Sequence, residues 1–243
     1  MKTTKIKKVD TTYWRLCPAG QFWRSAHHQS SYQRKDGTFV REHNVSAGCC
    51  DNPSKKDQIY SEELKTIAIK YFPKLKGPPA PDDLDFKNKG NLYDELIRGW
   101  TQFWNDIFGT EDPLDPNLVK ALIATESGFN PNPKVGPSKA RGLMQVTDES
   151  QKILGNKNGE LKDHLVHVDQ KDMIDPNLNI AVGVRWLFRK KELAAVKLKR
   201  TATWDEAVAE YKSYLKGMIK DPSFLPKPMK KFRENYDRLQ KFK

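Results

Sequence analysis

The run Lys76-Gly77-Pro78-Pro79-Ala80-Pro81-Asp82-Asp83 constrains this chain more than any other stretch. Proline has no backbone N–H to give to a helix or a central strand, so the backbone here must be irregular. The character of the sequence changes across the run. Before it lies an aromatic and basic segment with short strand-like pieces; after it the apolar residues fall at helical spacing. The expected organisation is therefore a small N-terminal part, residues 1–80, and a larger helical part, residues 81–243, with the Pro-rich run as linker.

In the first part, Ser30–Arg34 and Thr38–Arg41 flank Lys35-Asp36-Gly37. Asp-Gly between β-prone runs predicts a hairpin, because Gly accepts the positive φ of a tight turn. A helix is expected from Ser61, with Glu62 and Glu63 in its first turn and Ile67, Ile69 and Phe72 as its apolar positions. The chain has 3 cysteines, Cys17, Cys49 and Cys50. With His27, His28 and His43 they could form a metal site, but the spacing fits no paired zinc knuckle. Buried thiols, or a bridge from Cys17 to Cys49 or Cys50, are the expected arrangement, and no metal or cofactor is expected.

The second part reads as mainly α. Asn91 to Phe108 carries Leu92, Leu96, Ile97, Trp100, Phe103, Trp104, Ile107 and Phe108 as a broad apolar stripe. Asp115-Pro116 offers an N-cap with Pro at the first helical position, opening a helix that runs through Glu126 and stops at Gly128. Asp175-Pro176 repeats the device ahead of Leu178–Leu187. Thr203-Trp204-Asp205-Glu206 starts another helix, expected to reach Leu215. No parallel-strand pattern is visible after residue 90.

Within the helix before Gly128, Glu126 lies four residues after Leu122 and seven after Val119, so it continues the apolar stripe. A carboxylate there must be paired or held neutral by desolvation. A Glu that holds its proton near neutral pH is what a general acid requires. Position alone does not separate this from a partly exposed Glu with a basic partner.

The surrounding pattern does. Ala124-Thr125-Glu126-Ser127-Gly128-Phe129-Asn130-Pro131 is followed by Ala140-Arg141-Gly142-Leu143-Met144-Gln145-Val146-Thr147, then Asp175–Gly183 and Ala209-Glu210-Tyr211. This order resembles the soluble-type (SLT) lytic transglycosylases, members of the lysozyme-like superfamily that includes goose-type lysozymes, over roughly residues 90 to 215. The resemblance implies a lysozyme-like helical catalytic domain behind a small N-terminal α+β or hairpin-containing segment. It makes Glu126 the catalytic acid/base. It makes Ser127, Gly142, Leu143, Met144, Gln145, Asn179 and Tyr211 the residues that bind sugar or line the site. Met144 as core packing, Asn179 as an internal hydrogen bonder and Tyr211 as a buried aromatic stay open as alternatives. The sequence departs from the family at Glu210 and Lys212, where alanine and asparagine usually flank the tyrosine, and at Lys139-Ala140-Arg141, where small residues are usual.

What the resemblance implies chemically is cleavage of the bond between N-acetylmuramic acid and N-acetylglucosamine in peptidoglycan. One carboxylate suffices for a lytic transglycosylase. A hydrolytic muramidase usually employs a second, for which Glu210, Asp148 and Glu149 are the candidates. A non-catalytic wall binder is the third reading, although such a protein has no need of Glu126.

The net charge of +12 suits a polyanionic partner or surroundings: nucleic acid, acidic lipid or an anionic cell envelope. Tyr13, Trp14, Phe22 and Trp23 are the aromatics a nucleic-acid reading would use, but no nucleic-acid motif accompanies them, so no such partner is expected. No stretch approaches the ~20 apolar residues of a membrane span. Met1–Lys8 is basic without a following apolar region, so a signal peptide is not expected. The expected setting is synthesis in the cytoplasm and action in the periplasm or wall, as a phage lysis protein or a secreted antibacterial effector. Its partners would then be glycan strands and an immunity protein or delivery component.

Overall fold

The structure, a computed structural model, describes residues 14–18, 20–53, 56–134, 136–137 and 139–242. The basic start Met1–Lys8 and Tyr13 lie outside them. The N-terminal strands are β1 (Gln21–Arg24), β2 (His27–Gln29), β3 (Tyr32–Gln33), β4 (Phe39–Val40), β5 (His43–Val45), β6 (Gly48–Asp51) and β7 (Gln58–Tyr60). β1 pairs with β6, β2 with β5 and β3 with β4, all antiparallel. The expected hairpin is thus the tip of one long two-stranded ribbon. Gly37 turns the tip at φ 87, and the Arg34 N–H donates to the Thr38 carbonyl at 2.8 Å. Most ribbon positions are exposed or half-buried, so it covers no core of its own. A Cys17–Cys49 disulfide fastens its base, leaving Cys50 free. Two of the thiols proposed for a metal site are therefore consumed, while His27, His28 and His43 sit on the exposed β2–β5 ladder.

Eight helices follow among the described residues: α1 (Ser61–Tyr71), α2 (Asp94–Phe108), α3 (Pro116–Glu126), α4 (Asp148–Gly155), α5 (Pro176–Leu198), α6 (Trp204–Tyr211), α7 (Leu215–Lys220) and α8 (Lys227–Gln240). A short hairpin, β8 (Ala140–Arg141) with β9 (Val146–Thr147), precedes α4. Strand β10 (Leu165–His167) lies parallel to β7, which corrects the expectation of no parallel pairing. Three residues a side, brought together across more than 100 positions, leave no local signature to find.

The starts of α3, α5 and α6 obey the capping signals. Asp115 accepts the Asn117 N–H at 2.9 Å, and Asp175 accepts that of Asn177 at 2.9 Å, each with Pro at the first helical turn. Thr203 and Glu206 form a reciprocal capping box. α5 runs eleven residues beyond Leu187, whereas α6 stops at Tyr211 and Ser213 takes φ 63, so the helix expected to reach Leu215 is broken in two.

One apolar core joins α1, α2, α3, α5, α6 and α8. Trp100, Phe103 and Trp104 of α2 are fully buried, and the Trp104 indole donates to the Ala181 carbonyl of α5 at 2.9 Å. Ile67 and Phe72 enter this core, but Ile69 is 79% exposed. Two residues on from Ile67 is some 200° around a helix, the opposite face. Leu92 precedes α2 and is exposed too. Trp14 is buried against Tyr71, Phe72 and Phe103 and donates to Asp106 at 2.6 Å, so it cannot stack on a base.

The Pro-rich run is irregular, as expected, yet it is pinned. The Ala80 N–H donates to Asn117 at 2.7 Å, and its carbonyl accepts from the buried Lys120 at 2.7 Å. Arg238 of α8 holds Asp82 and Asp85 at 2.7 and 2.8 Å. The run serves as a strap across α3 and α8.

Candidate active site

The hairpin β8–β9 and helix α5 are built to interlock. Gly142 takes φ 70, and a Cβ on it would stand 2.1 Å from Asn179 Nδ2 and 2.4 Å from the Met173 carbonyl oxygen. On α5, a Cβ at Gly183 would stand 2.4 Å from Met144 Sδ. Each glycine makes room for a large side chain of the other segment, so G-L-M-Q and N-I-x-x-G are two halves of one contact. Asn179 completes it with three hydrogen bonds. Its Oδ1 accepts the Met144 N–H at 2.8 Å, and its Nδ2 donates to the carbonyls of Arg141 at 3.0 Å and Met173 at 2.9 Å. A buried amide so placed satisfies polar backbone that would otherwise lack partners.

This geometry limits what the expected set can present. Leu143, Met144 and Asn179 are fully buried and Gly142 is buried, so none offers a side chain to a glycan. Their work lies behind the wall, setting the course of the hairpin. Gln145 is half-buried, at φ 50, and its Nε2 turns back to the Gly142 carbonyl at 2.9 Å. Ser127 likewise points its hydroxyl at the Ile123 carbonyl, 3.4 Å away, inside its own helix.

Glu126 is the last residue of α3, above the buried Val119, Leu122 and Ile123. The helix closes at Ser127, and Gly128 at φ 58 leads the chain past Phe86. The Glu126 side chain is 16% exposed and its Oε1 accepts a hydrogen bond from Lys212 Nζ, whose side chain is 6% exposed. Of the two states open to a carboxylate on this face, the structure shows the paired one. Tyr211 precedes Lys212 and donates its hydroxyl to the Met144 carbonyl at 2.6 Å, joining α6 to the hairpin. Burial, reinforced by the charge of Glu126, pushes the Tyr211 phenol well above its ordinary range, so it stays a donor.

The other acids are engaged elsewhere. Glu210 is buried and turned to α5, with Lys197 at 2.6 Å and Lys190 at 3.8 Å. Asp148 takes Gln170 at 2.6 Å and Arg141 at 3.2 Å; these hydrogen bonds and the Arg141 charge hold it below the usual carboxylate range. Glu149 is exposed and acts electrostatically on Lys190. Beside the hairpin a groove of about 850 Å³ is lined by Lys139, Asp148, Gln151, Gln170, Tyr60 and His167, the last two stacked at 4.8 Å. Tyr60 belongs to the N-terminal part, which the sequence did not connect with this region. Nor did it reveal the partner of Glu126, since the two residues are 86 apart; the only sign was the unusual lysine after Tyr211.

Part of the positive charge is taken up in ion pairs. Arg189 pairs with Glu160 and Glu192, Lys191 with Asp112, and Arg200 with Glu206. No helix among the described residues is long and apolar enough to cross a membrane.

Residues 108–212 match the family model of the transglycosylase SLT domain. Among solved structures, the chain is similar to the 70 kDa soluble lytic transglycosylase of Escherichia coli, at 19% identity and a TM-score of 0.35. That similarity covers 64% of this chain and 29% of the other, so the chain spans under a third of its length. No match is found among curated proteins.

Proposed function

We propose that this chain, which carries an SLT domain of the lysozyme-like class at residues 108–212, cleaves peptidoglycan glycan strands as a lytic transglycosylase with Glu126 as its single catalytic carboxyl group. The observation that carries this reading is the setting of Glu126: a carboxylate at a helix end, largely buried, beside the wall formed by β8–β9 and the Tyr211 hydroxyl. In the first half-reaction the protonated Glu126 gives its proton to the glycosidic oxygen as the bond to the muramoyl anomeric carbon breaks. In the second, the ionised Glu126 takes the proton of the muramoyl 6-hydroxyl while that oxygen bonds to the anomeric carbon. The product is a 1,6-anhydro sugar and no water is consumed. The local pairing of Glu210 and Asp148 supports transglycosylation over hydrolysis, and leaves Glu149, exposed on α4, as the remaining candidate for a second carboxylate.

Digestion of purified sacculi followed by mass spectrometry tests the reading. Anhydromuramoyl products are expected from the wild type, and Glu126→Gln should lower their release by at least about 100-fold while binding to sacculi survives. Reducing-end sugars carrying the elements of water would instead make the chain a muramidase.

The substrate places the site of action in the periplasm or wall. For the ribbon of residues 21–51 we favour docking or delivery over capping, because none of its residues is buried, while Trp14, β7 and α1 contribute to the core. Removing residues 27–45 should leave release from sacculi intact and reduce killing. A role as a lysis protein or effector predicts lysis when the chain is directed to the bacterial periplasm and none when it is kept in the cytoplasm.

A further inference from the structure

A lysine stands against the residue that must act as an acid. The position is fixed on both sides. The Lys212 backbone N–H caps α6 by donating to the Val208 carbonyl at 2.9 Å, and the next residue turns the chain away at φ 63. The side chain therefore leaves the end of α6 toward the end of α3 and meets Glu126 Oε1 with little access to solvent. An ion pair sheltered from water cannot be dismissed as a screened surface contact.

Resting on the reading of Glu126 as the acid/base, we infer that Lys212 is a positioning residue that holds the Glu126 carboxylate by an ion pair sheltered from water, so that Glu126 acts as an acid only when this pair is broken. The two half-reactions explain why this matters. The first needs a proton on Glu126 and the second needs its absence. Lys212 favours the second state and opposes the first. Protonation from solvent removes the negative charge, dissolves the pair and arms the site.

The surroundings leave Lys212 as the determinant. Tyr211, on the same helix end, faces the carboxylate as a neutral phenol. Glu210 is turned to Lys197 and Lys190 of α5. From the hairpin and α4, Asp148 is taken by Arg141 and Gln170, and Glu149 lies in the field of Lys190. Among the ion pairs of the described residues, Glu126 and Lys212 occur only with each other.

The test uses the full chain with Lys212→Met and Lys212→Arg, measuring sacculus digestion from about pH 4 to about pH 9. Activity of the wild type should fall as pH rises and the acid is lost. In Lys212→Met, which lacks the paired cation, turnover on the wild type's falling limb should be roughly tenfold faster with KM little changed. Lys212→Arg keeps the cation and should keep the limb near its wild-type position. Isotope-edited infrared spectra of the Glu126 carboxyl give the same answer without catalysis: the protonated band should persist to higher pH in Lys212→Met. An unmoved limb together with an unmoved band overturns the inference. So does a folded, sacculus-binding Lys212→Met that is inactive at every pH, which would make the lysine a reacting group. If the wild type releases no glycan yet the band moves as expected, the role of Lys212 stands and the transglycosylase reading falls.

Discussion

Asn179→Ala probes the contact on which the β8–β9 hairpin rests. The side chain is fully buried and makes three hydrogen bonds, to the Met144 N–H and to the carbonyls of Arg141 and Met173. A typical buried hydrogen bond contributes about 1 kcal/mol net, and a buried donor left without a partner costs about 1–3 kcal/mol. Losing all three while orphaning the Met144 N–H should cost about 3 kcal/mol, lowered toward 2 if a water enters the space vacated. With a urea m-value of about 3 kcal/mol/M, the unfolding midpoint should drop by roughly 1 M without a change of slope. Asn179→Asp separates polarity from packing. It removes almost no volume, but it places a carboxylate oxygen where Nδ2 donates to two carbonyls. It should therefore cost at least as much as the alanine. A near-normal midpoint for Asn179→Asp, or a loss under about 1 kcal/mol for Asn179→Ala, would refute the claim that this amide holds the hairpin. Hydrogen exchange at the Met144 amide supplies a local check, and it should speed up in both variants.

Gly142→Ala should be worse than ordinary overpacking, which costs about 1–3 kcal/mol. The added Cβ would meet the Met173 backbone as well as Asn179, at a left-handed φ that suits glycine; thermal unfolding reads the loss, and a variant as stable as the wild type would contradict the interlock. Asp57 predicts a pH dependence of stability. Burial alone would raise it, but the His164 hydrogen bond and the Arg15 guanidinium bring it from 3.8 down to about 2. A depressed folded-state value means the contribution is complete above about pH 4 and lost as pH falls through about 2. Its size is about 2 kcal/mol, and Asp57→Asn should unfold with a visibly shallower pH dependence across that window.

The features legible in the sequence are those whose cause is local. Asp115-Pro116, Asp175-Pro176 and Thr203 with Glu206 announce three helix starts because the capping partner lies within three residues. Asp36-Gly37 marks the ribbon tip for the same reason. Ile69 and Leu92 show the limit of counting apolar residues without following their angle or the start of the helix. What escaped the sequence is long-range: β7 against β10, Arg15 with Glu63, and the Lys212–Glu126 pair. The Asp57–His164 contact joins the N-terminal part to the helical part, and Arg15 links Asp57 to Glu63 of α1 within the former, contacts that composition does not announce.

Two kinds of residue lie in the segment 108–212 that matches the SLT family model, and the structure separates them by what each can reach. Gly142, Met144, Asn179 and Gly183 contact one another, and a change at any of them perturbs the hairpin first and chemistry second. Glu126 and Lys212 contact each other at the ends of α3 and α6, so a change there breaks an ion pair and leaves the interlock whole. Tyr211 belongs to both sets. Its hydroxyl anchors the Met144 carbonyl, and its ring stands close enough to Glu126 to feel the charge. The residue that fixes where α6 meets the hairpin thus also fixes where the following lysine emerges, so the hairpin at Met144 and the Glu126–Lys212 ion pair are joined through a single hydrogen bond and one peptide link.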